Sequence, residues 1–314
     1  MNIRKACVIS GCGSWDAFGG GTLERINKNY NTIVGVSTGS LLAPLTALKE
    51  WELLKLAYTN INNNDIFDKC WYKGKPIGNN GKLNKLPIIM SLLLGQKSVF
   101  TSNVLRKTIE KLFTLEYFDD LRIQKKEILV GTQNFSEIPS KIHYFSSMDK
   151  KYDEFLDWTW CSANFPFFSS LVKKSWIDGL GNFHVGSWSN GGLIDLAGLD
   201  QLNLGGYKEI DIILHRTKSY DNFEGNKINC LMDNVTTCLN GMRYDIEFDH
   251  FYEKIKRLNK QGRKVTIYWL PRKLSTNPMV YNRKEMIKWW DEGYETAFNP
   301  DRIEVFEPTK RRNY

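Results

Sequence analysis

Two successive strand–turn–helix patterns near the N-terminus constrain the fold more than any other feature of this sequence. Ala6–Ile9 and Thr32–Val36 are short apolar runs of the kind that form buried strands. Helical patterns follow them over Leu23–Ile26 and over Leu41–Tyr58, where apolar residues recur at helical intervals. Strands that alternate with helices are typical of α/β proteins with a mostly parallel sheet. The sequence therefore predicts an α/β fold built on such a sheet.

The composition excludes several classes of protein but selects no partner. Of the 314 residues, 42% are hydrophobic and 25% are charged, which is ordinary for a globular protein and unlike a disordered, collagenous or coiled-coil chain. Lys and Arg number 43 against 35 for Asp and Glu, a formal net charge of +8. That excess suits an anionic lipid surface, a nucleic acid or solubility alone. Since no motif of a nucleic-acid-binding fold accompanies the basic runs, we expect no nucleic-acid partner.

Cysteine spacing and apolar runs bear on cofactors and location. The six cysteines lack Cys-x-x-Cys spacing and the four histidines lack metal-ligand spacing, so we expect free thiols and no metal site. The longest clean apolar run, Leu86–Leu94, includes a proline and is far shorter than the ~20 residues of a membrane-spanning helix. The apolar run at the N-terminus is too short for a signal peptide. We therefore expect a cytoplasmic protein or one peripheral to a membrane.

The segment Gly35-Val36-Ser37-Thr38-Gly39 fits the pattern Gly-x-Ser-x-Gly. A serine on a sharp strand-to-helix turn projects its hydroxyl clear of the backbone, and small residues two positions before and after it permit close approach of the chain. The helix that follows directs its N-terminal amides toward developing negative charge. An ordinary strand-to-helix turn explains the same five residues equally well, so the pattern makes Ser37 a candidate nucleophile and no more.

Several motifs, in order along the chain, resemble those of the patatin-like phospholipase family. Val8–Ser14 matches the family's opening strand and oxyanion loop, and the turn that carries Ser37 follows at the short interval expected. Ser162–Pro166 matches a Ser-x-x-x-Pro segment, and Asn190-Gly191-Gly192 stands at the place of an Asp-Gly-Gly motif. The late strand Ile210–Leu214 is similar as well. Several motifs in the right order are far more specific than any one of them.

The resemblance implies a three-layer α/β fold, with a mostly parallel central sheet flanked by helices. It implies a single domain over residues 1–314, with a core over about 4–215 and a helical and strand extension over about 216–314. It also implies hydrolysis of lipid acyl esters, of the phospholipase or lysophospholipase type, by a serine–aspartate dyad without a metal or organic cofactor. The expected partner is a lipid or phospholipid substrate, with peripheral contact to an anionic membrane. The site residues implied are the nucleophile Ser37 and the oxyanion-loop amides of Gly11, Cys12, Gly13 and Ser14.

Asn190 stands where the family has its catalytic aspartate. A carboxylate can accept the serine proton, whereas a neutral amide cannot, and general-base help contributes ~10²–10⁴-fold. We therefore expect an impaired or inactive chain, by nature or through an engineered exchange of Asp for Asn, ahead of rescue by another base. The nearest substitute base is Asp195, which falls where the family usually has an asparagine. Deamidation of Asn190, which precedes a glycine, would also generate an acid.

The oxyanion loop departs from the family as well. Cys12 replaces a glycine, while Trp15 and Asp16 replace the usual basic residue and glycine. Backbone amides still donate from Cys or Ser, but a side chain alters the loop wherever a positive φ is required. We interpret Cys12 as an inert small residue and not as a reactive thiol, because no activating base is in view.

Two functions follow from these residues. The first is a lipid acyl hydrolase in which Ser37 is the nucleophile and Asn190 limits the activity. The alternative is a catalytically inactive protein of the same fold with a lipid-binding or assembly role.

Overall fold

The computed structural model describes residues 3–67, 90, 93–98, 101–166, 169–177, 181–191, 198–202, 206–218, 248–275, 278–279 and 281–308. Two features named above fall outside these residues: most of Leu86–Leu94 and the candidate base Asp195.

In the described part of the chain, nine strands form one sheet. Their order is β5-β6-β3-β2-β1-β7-β8-β9, and β4 also pairs with β3. The five central strands β3, β2, β1, β7 and β8 run parallel, and the strands toward the margins pair antiparallel. The α/β prediction with a mostly parallel sheet is therefore confirmed. The strands are β1 Lys5–Ile9, β2 Thr32–Val36, β3 Glu127–Asn134, β4 Lys141–Ser146, β5 Val172–Ile177, β6 Phe183–Asn190, β7 Glu209–Thr217, β8 Lys264–Leu270 and β9 Ile303–Phe306.

Helices cover both faces of this sheet, because alternate residues of the central strands point to opposite sides. Cys7 and Ile9 of β1 join the larger buried cluster, whereas Ala6 and Val8 join a second cluster on the opposite face. The helices are α1 Asp16–Ile26, α2 Gly39–Leu48, α3 Trp51–Asn60, α4 Asn103–Leu112, α5 Leu115–Ile123, α6 Tyr152–Ala163, α7 over residues 248–260, and α8 Arg283–Glu295. Among the described residues, α7 and a short 3-10 helix over Leu199–Leu202 contribute the helical residues of the second cluster.

The helical pattern predicted over Leu41–Tyr58 is wrong as a single helix. The chain forms α2 and α3 instead, with a break at Lys49, whose φ of 64° is left-handed. The Lys49 amide donates back to the carbonyls of Leu45 and Thr46, so the end of α2 is satisfied by its own turn. The apolar spacing continues across the break because both helices face the same core.

Residues from the C-terminal part of the chain belong to the same sheet as those from the N-terminus, through β8 and β9. Helix α8 packs closely on α1 because both present glycine at the contact. A Cβ at Gly21 would run into the carbonyl of Trp290, and a Cβ at Gly293 into that of Phe18. The glycine run 19–21 thus permits helix packing. The extent of a single domain over residues 1–314 stays a prediction.

Candidate active site

Ser37 lies on a sharp turn between β2 and α2. Its φ is 58°, a left-handed value that is uncommon outside glycine and is typical of a strained serine on a strand-to-helix turn. Both flanking glycines are needed for this turn. A Cβ at Gly35 would lie 2.5 Å from the Cα of Ser40, and one at Gly39 would collide with the carbonyl of Ile9. The Gly-x-Ser-x-Gly spacing therefore reflects two close backbone contacts.

Strand β6 brings Asn190 to this turn through an unusual succession of strands along one side of β3. Strand β2 pairs with β3 as far as Val36 opposite Gly131. Strand β6 takes its place from the next residue onward, with Asn190 opposite Thr132. Because the turn begins where β2 ends, the last residue of β6 meets Ser37 side by side. The buried Asn190 amide donates from Nδ2 to Ser37 Oγ over 2.7 Å.

Ser162, near the end of α6, holds the backbone of the turn in place. Its hydroxyl accepts a hydrogen bond from the Ser37 amide at 2.9 Å and donates to the carbonyl of Gly131 at 2.7 Å. Two residues further on, the carbonyl of Asn164 accepts a hydrogen bond from the backbone amide of Asn190 at 3.1 Å. The Ser-x-x-x-Pro segment thus bonds to the residues on both sides of the Ser37–Asn190 contact.

The glycine-bearing loop after β1 lies against the same turn. A Cβ at Gly11 would lie 2.5 Å from the Thr38 nitrogen, so the loop could not approach this closely with a larger residue. Three of its four amides already have protein acceptors: Cys12 donates to Asp16 Oδ1 at 2.7 Å, Gly13 to Thr38 Oγ1 at 2.8 Å and Ser14 to the Pro278 carbonyl at 2.8 Å.

Two backbone amides beside Ser37 differ from these three in their hydrogen bonding. Within the residues that the structure describes, neither the Gly11 amide nor the Thr38 amide donates to a protein acceptor. They flank the contact between the loop and the turn. Of the amides at positions 11 to 14 predicted for the oxyanion, only that of Gly11 is available in this conformation.

A cavity of about 250 Å³ opens beside Ser37 and Asn190. Its lining includes Ser37, Thr38 and Asn190, and most of the lining residues beyond the site are apolar. Much of the apolar lining comes from the helices on one face of the sheet: Leu41, Pro44 and Leu45 of α2, Leu54, Ala57 and Tyr58 of α3, and Leu105, Ile109 and Leu112 of α4. A cavity that combines a hydroxyl with mostly apolar walls suits a hydrocarbon chain attached to a polar, reactive group.

The sequence profile of the patatin-like phospholipase family matches residues 7–201, well over half of the chain. The chain belongs to this family. The family is one of lipid acyl hydrolases, and its profile spans Ser37, Ser162 and Asn190 together. Among solved structures, the chain is similar to the crystal structure of VipD from Legionella pneumophila, with 11% identity and a TM-score of 0.47 over 98% of this chain and 68% of that one. No curated protein matches it.

Asp16 is a departure from the family that the structure explains. Its fully buried carboxylate accepts from the Cys12 amide and lies 3.4 Å from His215 Nδ1. His215 in turn contacts the Ser10 carbonyl, and its backbone amide donates to Ser10 Oγ at 2.9 Å. Burial raises the pKa of the Asp16 carboxyl, which His215 and hydrogen bonds from Thr38 and Cys12 partly oppose. This cluster ties the glycine loop to the end of β7.

The charges around Cys12 agree with its interpretation as an inert residue. Burial, followed by the neighbouring Asp16 carboxylate, raises the pKa of the Cys12 thiol to about 12, against the opposing charges of Arg216 and Lys273. The thiol is therefore protonated at neutral pH and a poor nucleophile. The two cations lie at the carboxyl ends of β7 and β8, at the edge of the sheet where α/β proteins bind ligands, and Arg216 lines the cavity.

The structure thus brings Ser37, Asn190 and Gly11 together and turns the amides of Cys12, Gly13 and Ser14 toward protein acceptors. From the sequence alone, we assign no hydrogen-bonding role to Thr38 or Ser162 in the site. Thr38 has a positional signal, since it follows the nucleophile of a Gly-x-Ser-x-Gly turn.

Two further properties concern metals and membranes. No group of three His, Cys, Asp or Glu side chains within the described ranges is arranged to hold a metal ion. Likewise, no helix in that part of the chain has both the length and the apolar character needed to cross a bilayer.

Proposed function

We propose that this chain carries the site of a serine-dependent lipid acyl hydrolase, with Ser37 as nucleophile and Asn190 at the place of the base. One observation carries the proposal: Ser37 Oγ contacts residue 190 at 2.7 Å, and both residues line a cavity with mostly apolar walls. The left-handed backbone of Ser37 and the hydrogen bond that its amide donates to Ser162 Oγ fix the turn from which this hydroxyl projects. Family membership supports a lipid ester as the substrate.

The reaction proceeds by acyl transfer. Ser37 Oγ forms a bond to the ester carbonyl carbon as its proton passes to a base, and the carbonyl oxygen becomes an oxyanion. Collapse of that intermediate breaks the bond to the alcohol, which leaves with the proton, and water then cleaves the acyl-serine to the free acid. An aspartate at position 190 would accept and return the proton. An asparagine cannot, so the chain with Asn190 hydrolyses esters slowly or not at all.

The oxyanion would be held by the amides of Gly11 and Thr38. Both lie beside Ser37, and neither has an acceptor among the described residues. An amide from the residue after the nucleophile, paired with one from a loop after another strand, is a common arrangement for this task. The amides of Cys12, Gly13 and Ser14 would contribute only after releasing their present acceptors. The candidate substitute base, Asp195, lies outside the described residues.

The cavity supports a substrate with one alkyl chain bound inside the protein. Arg216 lines the cavity, and Lys273 lies close enough to lower the pKa of the Cys12 thiol, which also lines it. Their positive charges favour a phosphate group at the mouth of the cavity, and so a phospholipid or lysophospholipid over an uncharged ester. Such a protein would act at the surface of an anionic membrane, without a nucleic-acid partner.

The second candidate function is lipid binding without catalysis. It is favoured by the hydrogen bond that Asn190 donates to Ser37 Oγ, because this bond uses an oxygen lone pair that a nucleophile needs. In this function the cavity would hold a lipid chain without cleaving it.

Two measurements distinguish these functions. A fluorophosphonate labels an activated serine, and release of fatty acid from a dispersed lysophospholipid reports turnover. The hydrolase proposal expects labelling and turnover in Asn190→Asp, and neither in Ser37→Ala. If Asn190→Asp stays unlabelled and inactive while the folded protein binds a fatty acid in the cavity, the binding function is the correct one.

A further inference from the structure

The hairpin formed by β5 and β6 projects from the edge of the sheet where the proposed active site lies. Strand β6 pairs with β3 only through Trp188, Ser189 and Asn190. Ser187 still bonds to Phe135 and Ser136 just after β3, and the residues before it continue past the carboxyl end of β2 as a ladder with β5. At ~3.3 Å per residue, the step from Asn190 back to Phe183 spans roughly 23 Å. The far end of the hairpin therefore lies well beyond Ser37, on the same side of the sheet edge.

One face of this hairpin is packed against the protein. Trp176 contacts His143 and Phe145, with ring centroids 4.8 and 6.1 Å apart, and Trp188 contacts Trp158 at 4.9 Å. These aromatic contacts anchor the inner face, which gives a two-stranded ribbon the support that it lacks in isolation.

The other face is apolar and exposed. Ile177 and Phe183 are directly paired across the two strands, and Val185 follows two residues later on the same face. The three side chains are between 60% and 69% exposed. Ile138, in the turn between β3 and β4, is 99% exposed, and the neighbouring Ser136 accepts a hydrogen bond from the Ser187 amide of β6. Four large apolar side chains are thus exposed beyond the carboxyl end of β3, three on the hairpin and one in the turn that bonds to its base.

The charge on this face selects the partner. Lys173 lies on the exposed face of β5, opposite Ser187, and the two described strands contain no Asp or Glu. Lys141, at the start of β4, is also exposed. An apolar surface flanked by lysines, on a chain of net charge +8, is complementary to a bilayer with anionic headgroups.

We infer that the outer face of the β5–β6 hairpin, with Ile138, docks this protein on an anionic lipid bilayer. The inference rests on the proposed lipid function, since docking by this face would bring the mouth of the Ser37 cavity to the membrane that holds the substrate. Ile177, Phe183 and Val185 enter the headgroup region, and Lys173 contacts anionic headgroups.

Vesicle co-sedimentation tests this directly, with phosphatidylcholine vesicles that either contain or lack phosphatidylserine. We expect the chain to bind the anionic vesicles and to bind the neutral ones several-fold more weakly. The double variant Ile177→Ser/Phe183→Ser should bind anionic vesicles at least tenfold more weakly, because each substitution removes apolar area that lipid would cover. Lys173→Gln should lose a few-fold, and this loss should disappear at high salt.

The matched control is Ile123→Ser. Ile123 is 77% exposed, but it ends α5 just before β3 begins, at the opposite edge of the sheet. Its loss should leave vesicle binding unchanged. The inference is overturned if the chain does not bind anionic vesicles, if it binds neutral vesicles as strongly as anionic ones, or if Ile123→Ser weakens binding as much as the hairpin variant does.

Two more measurements separate this inference from its alternatives. Ser37→Ala should bind vesicles like the starting chain, because docking does not use the nucleophile. If Asn190→Asp binds vesicles but releases no fatty acid, the docking surface stands while the hydrolase proposal fails. Light scattering without lipid should give the same molecular mass for the chain and for Ile177→Ser/Phe183→Ser. A dimer that the double variant converts to a monomer would assign this face to a second copy of the chain and overturn the inference.

Discussion

Asn190→Asp is the most informative single change in this protein, because it alters one atom at the centre of the proposed site. The Asn190 Nδ2 atom lies 2.7 Å from Ser37 Oγ, which is already a normal distance for a hydroxyl that donates to a carboxylate. Aspartate has the shape of asparagine, so the exchange requires no repacking around the buried side chain. It replaces a donor with an acceptor for the serine proton.

The expected gain follows from the chemistry of general bases. A positioned base contributes ~10²–10⁴-fold, which is about 2.7–5.4 kcal/mol of transition-state stabilisation. We expect ester hydrolysis by Asn190→Asp to exceed that of the starting chain by this range. The activity should rise with pH on the acid side, because the carboxylate acts only when ionised.

The assay is release of fatty acid from lysophospholipid by purified protein, with the thermal midpoint as a check on folding. The double variant Ser37→Ala/Asn190→Asp is the control, and it should be inactive. Mass spectrometry of the peptide that contains residue 190 excludes a prior gain of aspartate by deamidation. A folded Asn190→Asp protein no more active than the double variant would refute the assignment of residue 190.

Three other predictions test the surroundings of the site. Ser162→Ala should lower the free energy of unfolding in urea by about 1–3 kcal/mol, because it removes a partner from the part-buried Ser37 amide and from the buried Gly131 carbonyl. A change near zero would contradict the structural role of Ser162. Arg216→Gln, made together with Asn190→Asp, should lower kcat/KM for a lysophospholipid about tenfold or more and leave kcat/KM for a short uncharged ester unchanged. The control is Arg272→Gln, which removes an exposed cation paired with Glu292 and should change neither value. Asp16→Asn tests the buried carboxyl group. Burial raises the pKa of Asp16 above the ordinary value of 3.8, so the folded chain keeps the carboxyl proton to higher pH than the unfolded chain. The wild-type protein therefore loses stability as pH rises through the folded pKa. The stability of Asp16→Asn relative to wild type in urea titrations should therefore increase with pH over that window, and a constant difference would contradict burial as the cause.

The elements of the sheet were largely predictable, since each depends on a local pattern. The apolar runs Ala6–Ile9 and Thr32–Val36 predict the bounds of β1 and β2 to within one residue. The division between α2 and α3 was not predictable in this way. Lys49 adopts a left-handed backbone without being glycine, and apolar spacing continues through the break because both helices cover the same core.

The site divides along the same line. Ser37 has a local signal, because the glycines two residues away on either side are there for close backbone contacts with Ser40 and Ile9. Its bonds to Ser162 and Asn190 span sequence separations of 125 and 153 residues and have no local signal. Resemblance to a family could propose Asn190, but not the distance that joins it to Ser37.

The local patterns of this chain are enough to specify an α/β sheet, a serine on a strand-to-helix turn and an amide where the family has an acid, because each is a matter of residue type and short spacing. Three properties depend on how distant segments pack. They are the succession of β2 and β6 along β3 that places Asn190 beside Ser37, the engagement of the amides of Cys12, Gly13 and Ser14 by protein acceptors, and the projection of an exposed apolar hairpin beyond the site. Strand register and loop contacts arise from many weak long-range interactions at once, so only the folded chain determines them.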